Sequence, residues 1–178
     1  MSFDSVLSTL LQWEGVYDMD PDDSGGETCY GITRKYQTDW IGWPVVEMLK
    51  AAHIQPQDWH SNAKLMASVR LYYAAAWKTH NMDTLPENLQ GVVFGGVVNQ
   101  GPVRVVRWLQ ESLRELHQPV DVDGQIGEQV AGALCKVESQ LVLEKVWNKR
   151  VKAYIVSANK VRQGKYLLGW LNRISGGG

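Results

Sequence analysis

The first helical pattern of the chain stops at a glycine, and a polar loop follows it directly. Apolar residues recur at the spacing of one helix face, at Phe3, Val6, Leu7, Leu10 and Leu11. Gly15 is a helix stop signal, and Glu14 stands just before it. From Tyr17 to Tyr30 the chain is acidic and rich in turn formers, which predicts a loop or a short hairpin. The sequence therefore predicts a helix that ends in one glutamate at the edge of an acidic loop.

Helical patterns account for most of the remaining chain. We expect helices over 45–52, from about 56 to 77, and over 89–98, 105–116, 130–137, 141–161 and 166–174. The 105–116 segment is the most clearly amphipathic. Gly91 and Gly95, at a spacing of four, predict that the 89–98 helix is buried and closely approached by its neighbours. The fold class that follows is mainly α, with a small hairpin or acidic loop after the first helix.

Composition narrows the class of protein. The 178 residues fit one domain, or one domain with a small appendage. A formal net charge of -1 gives no electrostatic reason to expect binding to nucleic acid or anionic membranes. The N-terminus lacks the features of a secretory signal, and no run approaches the ~18 apolar residues of a membrane span. We therefore expect a protein that is made in the cytoplasm without a membrane segment, and whose Cys29 and Cys135 are free thiols.

The carboxyl groups around the first helix suggest acid–base chemistry on a glycosidic bond. That reaction needs a protonated acid beside the leaving oxygen and a second carboxylate across the sugar. Burial after an apolar helix, and the negative end of the helix dipole, would both raise the pKa of Glu14. The loop carboxylates, including Asp20, Asp23 and Glu27, are expected to stay solvated and ionised. Two carboxyl environments separated in this way form a working acid–base pair.

The same residues resemble a known signature. Glu14-Gly15-x-Tyr17, the stretch 20–28 and Gly31-Ile32-Thr33 are similar to the motif of glycoside hydrolase family 108, which comprises N-acetylmuramidases of phage endolysins and of bacterial proteins called secretion activators. Later segments resemble the predicted peptidoglycan domain that usually follows, at 97–102, 106–110, 123–127 and 169–173. The chain departs from the pattern at Val16, where a second glycine is common, and at Cys29-Tyr30, which fill variable positions.

The resemblance implies a fold and a reaction. It implies a lysozyme-like helical fold with a muramidase part at 1–88, a helical peptidoglycan part at 89–174 and a tail at 175–178. The implied reaction is cleavage of the β-1,4 bond between N-acetylmuramic acid and N-acetylglucosamine in peptidoglycan glycan strands, which is lysozyme-type activity. We expect a monomer that needs no cofactor or metal, and that acts on the cell wall or periplasm after release by a separate route.

The resemblance also assigns residues. Glu14 stands at the position of the catalytic glutamate. Phage-type lysozymes follow that glutamate with an aspartate and then a threonine across a hairpin, and Asp23 and Thr28 offer the same order nine and fourteen positions later. We therefore predict Asp23 as base or electrostatic partner, with Asp20 as the first substitute, and Thr28 as the residue that holds a water. The predicted substrate-binding residues are Tyr17, Asp20, Tyr30 and Asn99.

Several of these residues also have an ordinary structural interpretation. Asp20 and Asp22 suit ordinary turn capping, and Asn99 suits the end of a helix. Candidate sugar-stacking groups are Tyr72, Tyr73, Trp77 and Trp108, although such side chains more often fill cores. The Asp121-x-Asp123-x-Gln125 stretch predicts a turn rather than a calcium loop, and the four histidines lack zinc spacing. The competing functional classes are a non-catalytic peptidoglycan-binding or secretion-accessory protein and, less favoured, a helical scaffold.

Overall fold

Helices dominate the computed structural model, which describes residues 2–19 and 26–161, with only the backbone for 158–161. The helices of these residues are α1 (Phe3–Trp13), α2 (Trp43–Ala51), α3 (Ala63–Thr79), α4 (Glu87–Gln100), α5 (Pro102–Glu115), α6 (Glu128–Leu134) and α7 (Ser139–Val161). Short 3-10 helices cover Pro56–Ser61 and Met82–Thr84. The mainly α fold class predicted from the sequence is confirmed. The final helix predicted at 166–174 and the tail at 175–178 lie outside the described residues.

A small antiparallel sheet follows α1. Its strands are β1 (Tyr17–Asp18), β2 (Thr28–Cys29) and β3 (Ile32–Thr33), in the order β1-β2-β3. Cys29 lies opposite Tyr17 on one side and Ile32 on the other. Cys29 and Ile32 are almost fully buried, so this face of the sheet packs inward. The acidic loop predicted after the first helix is thus part of a hairpin arrangement, although residues 20–25 lie outside the described part.

Proline and glycine explain several helix boundaries. Pro44 occupies the first turn of α2, where its missing N–H needs no partner, so the helix begins slightly earlier than predicted. Pro56 likewise starts a 3-10 helix, which Asn62 separates from α3, so the predicted helix from 56 to 77 is two elements. Gly101, with φ of 90°, stands between α4 and α5. These changes shift boundaries and make the first part of the predicted 56–77 helix a separate 3-10 helix.

The chain forms two compact units. One, here called the hairpin unit, is Leu10–Ala76, and the other, called the helical unit, combines Met1–Thr9 with the chain from Trp77 onward. The hairpin unit contains the end of α1, the sheet, α2 and most of α3. The helical unit contains α4 to α7. The division into parts at 1–88 and 89–174 remains a prediction, because compact units and family domains need not share limits.

An arginine is buried where α4 and α7 of the helical unit pack together. The Arg150 guanidinium donates to the Val92 carbonyl oxygen at 2.7 Å and to Gln100 Oε1 at 2.8 Å. A Cβ added to Gly96 would lie 3.1 Å from Arg150 Nε, and one added to Gly95 3.6 Å from Nη1. The glycines of α4 therefore leave space for a charged side chain as well as for a neighbouring helix. Burial lowers the pKa of Arg150, which is 2 % exposed.

The segment 121–125 is a turn, as the sequence predicts. Asp123 Oδ1 accepts hydrogen bonds from the Gln110 side chain at 2.6 Å and from the Gln125 backbone at 2.8 Å. Gln110 Oε1 in turn accepts from the Gly124 amide at 2.8 Å. The buried Gln110 of α5 thus provides hydrogen-bond partners for polar groups of the turn. Across 2–19 and 26–161, no helix is long and apolar enough to cross a membrane.

Candidate functional site

Glu14 lies where the sequence predicts it, directly after the last residue of α1. Its amide donates to the Leu10 carbonyl oxygen at 3.1 Å, so the backbone of Glu14 completes the last helical turn. The residue is 9 % exposed, although its neighbours Trp13 and Gly15 are exposed. Apolar positions along α1 turn one face of the helix inward, and Glu14 continues that face. A carboxyl group is therefore held inside the hairpin unit by the end of an amphipathic helix.

The turn between β2 and β3 approaches the Glu14 carboxyl closely. A Cβ built on Gly31 would lie 3.0 Å from Glu14 Oε2 and 3.0 Å from the Tyr73 hydroxyl oxygen. Gly31 belongs to the turn between β2 and β3, and Tyr73 projects from α3 with 1 % of its surface exposed. The turn backbone thus lies against the carboxyl at a position where an added Cβ would make a tight contact with it.

A cluster of charged side chains connects the hairpin to α2. Glu27, just before β2, accepts a hydrogen bond from the Tyr17 hydroxyl at 2.8 Å and pairs with Lys50 of α2 at 2.9 Å. Its second oxygen lies 2.9 Å from Arg34 Nε. Arg34 also pairs with Glu47 at 2.6 Å, and its guanidinium lies over the ring of Trp43 at 4.4 Å. The cluster therefore ties the sheet to α2.

Glu27 is ionised but not solvated, which differs from the expectation for a loop carboxylate. Its side chain is only 10 % exposed. Burial alone would raise the pKa of Glu27, but the hydrogen bonds from Lys50 and Tyr17 and the charge of Arg34 outweigh it and lower the pKa. Glu27 is accordingly a structural anion, and its partners were not identifiable from the sequence.

We expect Glu27→Gln to destabilise the protein by about 2–3 kcal/mol at neutral pH, because Lys50 and Arg34, which also pair with Glu47, lose the more buried of their two carboxylate partners. The matched control is Glu47→Gln, whose side chain is 50 % exposed and whose loss should change stability by about 0–1 kcal/mol. Since the folded pKa of Glu27 is lowered, its contribution is present above the unfolded pKa and is lost as the pH falls through the folded value. Urea unfolding at pH 7 and pH 3 measures both effects. Equal destabilisation by the two variants at pH 7 would contradict the role given to Glu27.

Burial of Cys29 favours the protonated form of its thiol. It is 0 % exposed, and burial together with the nearby charge of Glu27 raises the pKa of its thiol to about 12. Cys135 is exposed, and both cysteines are free, as the sequence predicts.

The other predicted site residues of the hairpin unit have different positions. Tyr17 is engaged with Glu27, and its ring contacts Trp59 at a centroid distance of 4.9 Å. Tyr30 is buried, with a φ of 48°. Thr28 lies on the sheet face that it shares with its cross-strand partners Asp18 and Thr33. The roles of these three residues in binding or catalysis stay predictions.

Three further predicted positions lie elsewhere. Asp20 and Asp23 fall outside the described residues. Asn99 lies in the last turn of α4 in the helical unit, where its amide donates to the Gly95 carbonyl oxygen at 3.0 Å. That bond is the ordinary one for a polar residue near a helix end. The substrate-binding role of Asn99 therefore stays a prediction.

Buried tryptophans of the hairpin unit serve the core. The indole N–H of Trp43 donates to the Gln37 carbonyl oxygen at 2.6 Å, and that of Trp59 donates to Ile54 at 2.9 Å. In the helical unit, Trp77 is buried and donates to Asp83 at 2.7 Å. Each ring thus has its polar edge satisfied inside the protein. Among residues 2–19 and 26–161, no group of three His, Cys, Asp or Glu side chains could hold a metal ion.

Comparison with known proteins gives two family matches and a related structure. The model of the family described as Glycosyl hydrolase 108 matches residues 7–101, and that of the Predicted Peptidoglycan domain matches residues 104–175. Among solved structures, the chain is similar to the structure of Brucella abortus SagA, with 24 % identity, a TM-score of 0.66 and coverage of 97 % of this chain and 89 % of that one. At that identity the likeness shows the fold. No curated protein matches the chain significantly.

Proposed function

The chain belongs to the Glycosyl hydrolase 108 family, and we propose that it cleaves the β-1,4 bond between N-acetylmuramic acid and N-acetylglucosamine with Glu14 as general acid. The family match and the peptidoglycan-domain match together point to a peptidoglycan hydrolase. The identity of the cleaved bond and the role of Glu14 as the acid are what we propose. The observation that carries it is the buried carboxyl of Glu14 at the end of α1.

The surroundings of Glu14 suit a proton donor. Burial disfavours the ionised form of a carboxyl group, and the C-terminal end of a helix disfavours it further. Gly31 brings backbone rather than a side chain to the carboxyl, so space next to the acid is kept free of any Cβ. A general acid must stay protonated until it transfers its proton to the leaving oxygen, which is the role proposed for Glu14.

The proposed reaction needs a second group. Glu14 protonates the glycosidic oxygen as its bond to C1 breaks, and water then attacks C1, directly or after an intermediate. We assign Asp23 to assist the water or the developing positive charge, and Thr28 to hold the water, following the order of such residues in phage-type lysozymes. Asp20 is the substitute for Asp23. Tyr17 and Asn99 are assigned to the glycan strand, and the part of the chain matched by the peptidoglycan-domain model is assigned to wall binding. The side chain of Tyr30 is buried, so the proposal does not assign it to the glycan.

Mass spectrometry of fragments released from purified peptidoglycan tests the bond. The proposal predicts soluble disaccharide muropeptides whose reducing end is N-acetylmuramic acid, identified after borohydride reduction. A reducing N-acetylglucosamine end would identify the other glycosidic bond, and release of free stem peptides would identify an amidase. Either result would overturn the proposed specificity, as would a protein that co-sediments with the wall and releases nothing.

A further inference from the structure

We propose that Tyr73 is a positioning residue that fixes the β2–β3 turn against the Glu14 carboxyl. The proposal rests on the proposed function, in which Glu14 is the acid. It adds a residue from α3 that the sequence offered only as a candidate for sugar stacking, and it gives that residue a different task.

The turn itself has an unusual residue. Tyr30 and Gly31 connect paired residues Cys29 and Ile32, and their φ angles are 48° and 77°. A two-residue hairpin turn with positive φ at both positions favours Asn or Asp followed by Gly. Tyrosine is disfavoured at the first of these positions, because its Cβ crowds the backbone there. Contacts from outside the turn must therefore hold Tyr30 in this conformation.

Tyr73 makes such a contact. Its hydroxyl donates to the Tyr30 carbonyl oxygen at 2.7 Å, inside the protein, between residues 43 positions apart. The Tyr73 ring is itself held by an edge contact with the ring of Tyr72, at a centroid distance of 5.2 Å. A buried phenol on a regular helix is a rigid support for one peptide group of the turn.

The same hydroxyl and the acid both lie close to one point of the turn. The Cβ position of Gly31 is 3.0 Å from both the Tyr73 hydroxyl oxygen and Glu14 Oε2, so these two oxygens lie within twice that distance of each other. The turn peptide, the phenol and the carboxyl thus meet at Gly31. If the hydrogen bond to Tyr30 is lost, the turn can change its conformation. The Gly31 backbone, which lies against the carboxyl, then moves with the turn.

Burial separates this role from substrate contact. Tyr73 is 1 % exposed, so a sugar bound at the surface does not reach its ring. Loss of its hydroxyl should therefore affect the chemical step and leave ground-state binding alone. A small displacement of a catalytic group lowers the rate of the chemical step substantially.

The test is Tyr73→Phe, with Tyr36→Phe as the control that removes an exposed tyrosine hydroxyl from the same unit. On soluble uncross-linked glycan strands, we expect kcat to fall about 10–10²-fold with KM unchanged in Tyr73→Phe. Tyr36→Phe should keep its kcat. Hydrogen exchange gives a second readout: the Tyr30 amide, which donates to the Val16 carbonyl oxygen at 3.0 Å, should exchange faster in Tyr73→Phe, while amides of α4 should not.

The contrary outcomes are distinct. An unchanged kcat, a raised KM with kcat retained, or unaltered exchange at Tyr30 would each overturn the positioning role. A Tyr73→Phe protein that does not fold would also overturn it, because the proposed effect is confined to the turn. If Glu14→Gln retains activity, the proposed function fails instead, and the exchange experiment still decides whether Tyr73 holds the turn.

Discussion

Glu14→Gln is expected to lower the rate of sugar release from peptidoglycan by about 10²–10⁴-fold, the usual contribution of a general acid. Glutamine has nearly the shape of glutamic acid but no acidic proton, so it fills the same buried position without the chemistry. The substitution separates the lost proton from lost packing. Release of reducing ends by the purified variant measures its activity, and its thermal unfolding midpoint measures its stability.

The control for this experiment is Glu47→Gln, which removes an exposed carboxylate of α2 in the same unit and should retain full activity. Sedimentation with insoluble peptidoglycan adds a second measurement, and Glu14→Gln should still co-pellet with the wall. Full activity of Glu14→Gln would contradict the assignment of Glu14 as the general acid. Wall binding with no release even by the unsubstituted protein would favour the non-catalytic class.

Gly31→Ala is expected to be the most damaging substitution in the hairpin, and to reduce both stability and activity. The φ of 77° costs an alanine about 1–2 kcal/mol relative to glycine. Its Cβ would in addition lie 3.0 Å from Glu14 Oε2 and 3.0 Å from the Tyr73 hydroxyl oxygen, which is tighter than most Cβ contacts in proteins. Overpacking of this kind adds about 1–3 kcal/mol, and relief of the collision displaces the carboxyl.

Gly26→Ala separates the cost of a positive φ from the cost of the close contact with Glu14. Gly26 has a φ of 69°, but a Cβ there meets no described atom within 4 Å. It should therefore lose only the conformational part, about 1–2 kcal/mol. Urea unfolding and sugar release of both variants give the comparison. Equal losses of stability and activity in the two variants would show that the approach of Gly31 to Glu14 has no consequence.

Local sequence signals were sufficient where neighbouring residues determine the structure. The apolar spacing before Gly15 predicted both the end of α1 and the burial of Glu14, because one helix face decides them. The amphipathic pattern at 105–116 predicted α5 for the same reason. The Glu14–Gly31 motif was visible as a family signature. The structure adds a physical reason for its glycine, namely a positive φ beside a carboxyl.

Long-range polar partners could not be predicted in this way. Glu27 pairs with Lys50, 23 positions away, and Tyr73 bonds to Tyr30, 43 positions away. Neither pairing leaves a periodic signal, because it depends on how α2 and α3 pack against a sheet whose strands have only two residues each. Glu27 therefore looked like one more solvated loop carboxylate. Its ionisation was expected correctly, but for a different physical reason.

Packing beneath the hairpin also decides how the protein responds to oxidants. Oxidation of a cysteine requires solvent access and a population of thiolate, and Cys29 offers neither, since it is buried and its pKa is raised to about 12. Cys135, at the end of α6, is exposed. Sulfenylation or a mixed disulfide would therefore be confined to Cys135 in the helical unit. The sheet that carries Gly31 to the acid would keep its reduced sulfur, and with it its shape.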